Sequence, residues 1–551
     1  MTTAQRRSVG RVSLEGFVSW WAGSAYSARR RRRALAVWLL VVCAAVAAVG
    51  VPRLRIFGHD IFVSLDGGWR VLNGQRPGVD FYGQMGPAYY LLHAAGLWLA
   101  GNNARGLGYG STLAAALIGF WAFFVLRSRM RSAPFFVACL FLTLLAAAPF
   151  VVGYFPWHSA FCMKHNRYGY ALTGLVLLES FLPQEDGNRK REFAGGLSTG
   201  LACALLLFLK ISFGLVAVTM AAVSLPLRSG MRIRLAGIAA GFAALAVPML
   251  AYLRFDLPPI MRELRLLAAV KGVSIDAFVV VQRLYVDRFE IAPVVLLAVL
   301  VSLLPGVPLR RGFILMLVVA MAVGAGTLLL LTNTQFWGLP LTGVAALLLL
   351  NEVTVAIPEG SAPLHAAPLL ALGLVIAGIP MSLDAAGVAI AMGDKVLHRA
   401  PGYRFQEPHL ASIEFVDCGT TEIVAPCAAN DNGRNFVRYA EEGIALAQAN
   451  GRPGESVRGM GMSNPFSFAT LRPPSHGGAV NLSVTNVSSG AMPPEKTLIG
   501  DVSLILLPKY PATERDTLRS ILHAYPEMLG VQYLPVAESA NWTLYRTATA
   551  K

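Results

Sequence analysis

The sequence predicts a polytopic α-helical membrane protein with about eleven transmembrane helices, interfacial helices in the first external loop and a C-terminal extracytoplasmic α/β or α+β domain. Three observations predict it. Of the 551 residues, 55% are hydrophobic and only 14% charged, with a mean hydropathy of +0.55, too apolar for an ordinary soluble domain. Apolar runs of spanning length recur between residues 34 and 386. From 387 to 551 the chain turns polar and alternates short apolar runs with turn signals, the pattern of a folded domain.

The elements follow in order. Residues 1–33 carry Arg6, Arg7, Arg11 and the run Arg29 to Arg33, a basic cytoplasmic anchor for an uncleaved first helix. The predicted spans are 34–52, 107–126, 134–153, 168–183, 193–209, 211–227, 235–254, 290–306, 313–332, 338–357 and 367–386. The stretch "GPAYYLLHAAGLWLA" (86–100) is apolar but shorter than a span. Charge decides its reading: with 86–100 lying in the interface, the basic clusters at 127–131, 189–191, 228–234 and 310–311 all fall on the cytoplasmic side. The loops 53–106, 154–167, 255–289 and 333–337 and the tail then lie outside. The net charge of +16 is spread over these short clusters, so it reads as a topology signal, and no nucleic-acid partner is expected. In the tail, 502–508 and 541–547 read as strands, 433–450 and 514–525 as helices.

Cys43, Cys139 and Cys203 lie in apolar runs and read as small buried side chains. Cys418 and Cys427 stand close together in the polar tail, a disulfide candidate in an extracytoplasmic domain. No Cys or His spacing typical of a metal site occurs.

The chemistry concentrates in the outer loops. The first, "HDIFVSLDGGWRVLNGQRPGVDFYGQMGPAYY" (59–90), sets Asp60, Asp66 and Asp80 among aromatics and glycines just after the first apolar segment. A lone loop aspartate is ordinarily a solvated group or a helix cap; three at one membrane interface suit acid–base work, because partial desolvation raises a carboxyl toward a useful pKa. The loop "WHSAFCMKHNRYGY" (157–170) gathers Lys164, His165, Asn166 and Arg167 at an outer helix mouth, and Lys210 interrupts a long apolar stretch. Snorkelling explains a single basic residue there; a cluster of this kind can also hold a phosphate. Gln335 and Trp337 bring an amide and an aromatic to another outer mouth, and Tyr89 adds a second aromatic.

Asp60, Gly74, Pro77, Asp80, Phe81, Gly86, Pro87, Tyr89 and Tyr90, read together, resemble the first external loop of the GT-C glycosyltransferases, in the branch of bacterial protein O-mannosyltransferase relatives and the aminoarabinose transferase of lipid A. Two departures stand out: Ile61 follows Asp60 where an acid is usual, and "MGP" (85–87) stands where Lys-Pro-Pro is common. The resemblance implies an enzyme of the bacterial plasma membrane that moves a sugar from a polyprenyl-phosphate donor to a glycan, glycolipid or protein acceptor on the outer face, with inversion. It implies Asp60 as general base, with Asp66 or Asp80 binding the sugar or taking that role. Lys164, His165, Arg167 and Lys210 are then the donor-phosphate residues, and Tyr89, Asn166, Gln335 and Trp337 meet sugar or acceptor. Members differ in metal use, so a divalent ion stays open. A flippase of lipid-linked sugars and a non-catalytic envelope-assembly protein are the alternatives; the first would favour related halves and midplane charges, and the sequence has neither.

Overall fold

A computed structural model describes residues 28–182, 188–228, 230–271, 277–333, 335, 337–356, 366–398, 401–416, 433–484, 487, 492–510 and 515–548. Among the described residues fifteen α-helices come first: α1 (Ala28–Val49), α2 (Ile61–Leu72), α3 (Pro87–Leu99), α4 (Gly106–Leu126), α5 (Ser132–Ala147), α6 (Lys164–Phe181), α7 (Arg189–Leu209), α8 (Ile211–Ser224), α9 (Met231–Tyr252), α10 (Leu257–Lys271), α11 (Ala277–Val286), α12 (Arg288–Ser302), α13 (Leu309–Thr332), α14 (Pro340–Ala356) and α15 (Ala366–Leu397). Every predicted apolar window overlaps one of them. Among the described residues five, namely α4, α7, α9, α13 and α15, are long and apolar enough to cross a membrane by length and composition. The chain is a helical, multi-pass membrane protein.

α3 has 13 residues with Pro87 in its first turn. At 1.5 Å per residue it rises about 20 Å, short of the ~30 Å hydrocarbon core. α14 is buried along nearly its whole length and packs against α6, α12, α13 and α15, which makes it the axis of the bundle. α7 and α9 approach through two glycine pairs four residues apart, Gly196 with Gly200 and Gly237 with Gly241. A Cβ at Gly200 would stand 2.1 Å from the Ile238 carbonyl oxygen, and one at Gly241 2.1 Å from that of Leu197, so only glycine lets these backbones touch.

Three of the four basic clusters, those at 127–131, 228–234 and 310–311, reach the last turn of α6. Arg129 and Arg234 both bind the Glu179 carboxylate, at 2.9 and 3.1 Å; Arg228 donates to the Leu182 carbonyl at 2.6 Å and Arg311 to that of Phe181 at 3.0 Å. They therefore share one end of the bundle. The last predicted span ends at 386, yet α15 runs 32 residues to Leu397, because no proline follows Pro380 until residue 401 and Val388 and Ala391 remain buried.

The tail combines strands and helices: β1 (Gly402–Arg404), β2 (Glu414–Val416), α16 (Gly433–Asn450), β3 (Val457–Gly459), α17 (Phe466–Ala469), α18 (Glu495–Ile499), β4 (Leu504–Pro508), α19 (Arg515–Ala524), β5 (Tyr533–Glu538) and β6 (Trp542–Thr547). A four-stranded sheet runs β3-β4-β6-β5, with β3 parallel to β4 and the other neighbours antiparallel. Cys418 and Cys427 lie outside the described residues.

The first loop and the tail share one core. Phe62 of α2 meets Phe405 edge-on at 5.9 Å and stacks on Phe436 at 6.0 Å; Trp69 meets Phe468 at 5.6 Å. Tyr82 exchanges backbone hydrogen bonds with Gly478 and Val480, each 2.9 Å, and Arg53 reaches Glu414 at 2.7 Å.

Candidate active site

The end of the bundle opposite the arginine cluster holds the first turn of α6 and the loop before α2. Asp60 closes a 3-10 turn (Gly58–Asp60) and leads into α2. The residue before that turn, Phe57, is held in the left-handed region at φ 49°, and so is Met163 before α6 at φ 52°. Two strained non-glycine residues thus aim two helix starts at one place. The Asp60 carboxylate lies 3.4 Å from His59 Nε2 and is 18% exposed. It also takes a hydrogen bond from the Cys162 thiol; burial first, and then the Asp60 charge, push that thiol well above its ordinary pKa, so it stays a donor.

Around this point the expected cations assemble. Lys164 Nζ donates to the Ala147 and Ala148 carbonyls at 3.2 and 2.8 Å. The His165 ring packs edge-on to Tyr89 at 5.5 Å, and its Nε2 lies 3.3 Å from Lys210 Nζ. Lys210 sits at the break between α7 and α8, in extended backbone, and reaches Asn166 Oδ1 at 3.5 Å. Tyr89 is buried, its hydroxyl 2.7 Å from Ser64 Oγ, and its ring stands edge-on to His93 at 4.5 Å. Burial, helped by the Lys164 charge, pushes the His93 imidazole down to about 3, so it is neutral.

Two cavities adjoin these cations, one lined by Arg167 and the other by Lys210. One, about 310 Å³, is walled by apolar residues of α5, α12, α14 and α15, with Arg167, Asp384 and Trp337 on its polar side. Arg167 there is 2% exposed, binds Asp384 at 2.9 Å and the Leu145 carbonyl at 3.1 Å, donates to the Phe150 carbonyl and lies over the Phe150 ring. The other, about 380 Å³, is walled by Met85, Gly86, Leu207, Phe208 and the inner face of α10, with Lys210 and Glu263 as its charged residues. Glu263 accepts from the Gly83 N–H at 2.9 Å, and burial pushes its carboxyl up to about 8 against that hydrogen bond.

The three expected acids part company. Asp66 is 0% exposed and accepts from Arg70 Nε at 2.8 Å, Asn464 Nδ2 at 3.1 Å and Ser467 Oγ at 3.2 Å. It has no open edge for a sugar or a proton and ties α2 to the tail. Asp80 forms a two-pronged pair with Arg76, both bonds 2.8 Å; burial would raise its pKa, but the Arg76 hydrogen bonds and charge hold it below the ordinary range. Asp60 instead meets the loop that leads into α6, through Cys162. Gln335 accepts from the Tyr170 hydroxyl at 2.8 Å, and Trp337 is 39% exposed at the rim of the smaller cavity. No group of three His, Cys, Asp or Glu comes together as a metal site among the described residues.

Sequence reasoning passed over Cys162, Glu263, Asp287 and Asp384. An acid inside an apolar window, Asp384, was the one legible signal; Glu263 sits in a segment that reads as a solvated helix face.

No family model matches the chain, and no curated protein does. Among solved structures, ArnT from Cupriavidus metallidurans bound to undecaprenyl phosphate is similar at 13% identity and TM-score 0.45, over 94% of this chain and 98% of that one. Arabinofuranosyltransferase AftD from Mycobacteria gives 12% and 0.45, over 95% of this chain and 40% of that one. The Archaeoglobus fulgidus oligosaccharyltransferase, in complex with Zn and sulfate, gives 12% and 0.36, over 85% and 67%.

Proposed function

We propose that this chain is a membrane glycosyltransferase of GT-C type that transfers a sugar, with inversion, from a polyprenyl-phosphate donor to a glycan, glycolipid or protein acceptor on the outer face of a bacterial plasma membrane. One observation carries the reading: the first turn of α6 sets His165 against Lys210, Arg167 of the same turn lines one apolar cavity and Lys210 the other, and Asp60 meets the approach to that turn through Cys162. An isoprenoid phosphate needs that combination, an apolar slot with a cation at its polar end. Lys210 suits the phosphate better than Arg167, since Arg167 is committed to Asp384 and two carbonyls.

In the reaction the acceptor hydroxyl oxygen bonds to the anomeric carbon as the bond from that carbon to the phosphate oxygen breaks. Asp60 takes the hydroxyl proton, and the polyprenyl phosphate leaves with the bonding pair, its charge balanced by Lys210. The Cys162 thiol orients the Asp60 carboxylate. The test is Asp60→Asn in the purified full chain. Turnover of a sugar-linked undecaprenyl phosphate should drop by about 10²- to 10⁴-fold while donor affinity and melting temperature hold. Normal turnover would remove Asp60 as the base.

A further inference from the structure

Beside the first turn of α6 a group of polar atoms is buried with no partner among the described residues: Asn166 Nδ2, Asn333 Nδ2 and Oδ1, Gln335 Nε2 and Asp287 Oδ2. Their residues are 1, 3, 4 and 4% exposed, in that order. Leaving such atoms unpaired is costly, and several together call for a ligand or ordered water.

The atoms belong to one place. Asn166 and Tyr170 are four residues apart on α6 and share a face. The Tyr170 hydroxyl donates to Gln335 Oε1 at 2.8 Å and feels the Asp287 charge. Asp287 in turn accepts from the Gly338 backbone, and Arg283 binds the Gln335 carbonyl at 3.2 Å. Asn333 caps the end of α13 two residues before Gln335. The same segment joins the two apolar cavities, Thr332 lining the larger and Trp337 to Pro340 the smaller. The unpartnered polar atoms therefore lie along the segment between the two cavities, with Lys210 reaching Asn166 at 3.5 Å.

Its chemistry selects a ligand class. The unpartnered atoms comprise three amide donors and two acceptors, one of them a carboxylate oxygen. A phosphate offers only acceptors and, with Arg283 already balancing Asp287, would leave the Asn333 and Asp287 oxygens without donors; a ring bearing several hydroxyls offers both donors and acceptors across a few ångströms. We propose that Asn166, Tyr170, Asp287, Asn333 and Gln335 form the subsite for the sugar ring of the donor, and that Asp287 and Asn333 set which sugar is accepted. The inference rests on the reading of the chain as a polyprenyl-phosphate-sugar transferase.

The experiment measures affinity, without turnover, of the detergent-purified full chain for bare undecaprenyl phosphate and for a panel of undecaprenyl phosphates carrying a pentose, a hexose or an amino sugar. Wild type should bind at least one sugar-linked carrier about tenfold more tightly than the bare one. Asp287→Asn and Asn333→Ala should each erase that preference, a loss of about 1.4 kcal/mol, while keeping the affinity for the bare carrier, which also reports an intact fold. The subsite is overturned if either variant keeps the preference, or if wild type binds bare and sugar-linked carriers alike, which would leave these atoms a purely structural role. If wild type binds no carrier at all, the transferase reading falls and takes the subsite with it.

Discussion

Replacing Asp66 by alanine should break the joint between the first loop and the tail rather than the chemistry. Its carboxylate is 0% exposed and neutralises Arg70, whose guanidinium is equally buried and goes on to the Ser475 and Gly477 carbonyls at 2.9 and 2.7 Å. Arg458, 1% exposed, stands near the same pair and feels the charges of both. Removing the carboxylate leaves two buried guanidiniums without a counter-charge, and breaking a buried pair in this way costs about 3–5 kcal/mol. Stranding the Asn464 amide and the Ser467 hydroxyl adds about 1–3 kcal/mol. A domain is stable by only about 5–15 kcal/mol, so most of the margin should go. Thermal melting of the detergent-solubilised chain, with limited proteolysis of the tail as a second probe, should show a large loss for Asp66→Ala and a smaller one for Asp66→Asn, which keeps the shape. If Asp66→Ala melted with wild type yet turned over no donor, the carboxylate would be catalytic and the structural assignment wrong.

Two further outcomes are expected. Glu263 has a folded-state pKa raised to about 8 from 4.5, so the folded chain holds a proton that the unfolded chain releases; stability should fall as pH rises from about 4.5 to about 8 and then level off. Glu263→Gln should flatten that dependence in a pH series of melting temperatures, and identical slopes in both proteins would refute the assignment. Lys210→Met keeps the stem and deletes the charge, which removes about 1.5–3 kcal/mol of charged hydrogen bonding; binding of bare undecaprenyl phosphate should weaken by about 10- to 100-fold, and an unchanged affinity would move the phosphate elsewhere.

The helices were legible because apolar length is a local property: each window from 34–52 to 367–386 overlaps a helix, and the strands and helices expected at 502–508, 541–547, 433–450 and 514–525 appear at Leu504–Pro508, Trp542–Thr547, Gly433–Asn450 and Arg515–Ala524. The far end of α15 was less so, since nothing distinguishes an apolar helix that stops at the interface from one that continues through it. At the site, the grouping of Lys164, His165, Asn166 and Lys210 could be read from their positions at neighbouring helix mouths. The fate of Asp66 could not. Its spacing to Arg70 hints at a pair one helical turn apart, but Asn464 and Ser467 lie about four hundred residues further on, and no periodicity reports a contact of that range. Asp287 and Asn333 stayed hidden for the same reason: their unpaired atoms become conspicuous only once the surrounding burial is known.

The joint also dictates an order of biogenesis. α2 emerges from the ribosome early, carrying Phe62, Trp69 and an ionised pair in Asp66 and Arg70, while Asn464 lies 398 residues downstream of Asp66. At roughly 5–20 residues per second, synthesis of that interval takes on the order of 20–80 s. Throughout it α2 can pack on α3 through Gly67 and Gly68, but its tail-facing side must wait, sticky and half-charged, at the membrane. The last residues translated are the ones that let the first loop set, so a chain truncated before Asn464 should carry a misfolded loop as well as lacking its tail.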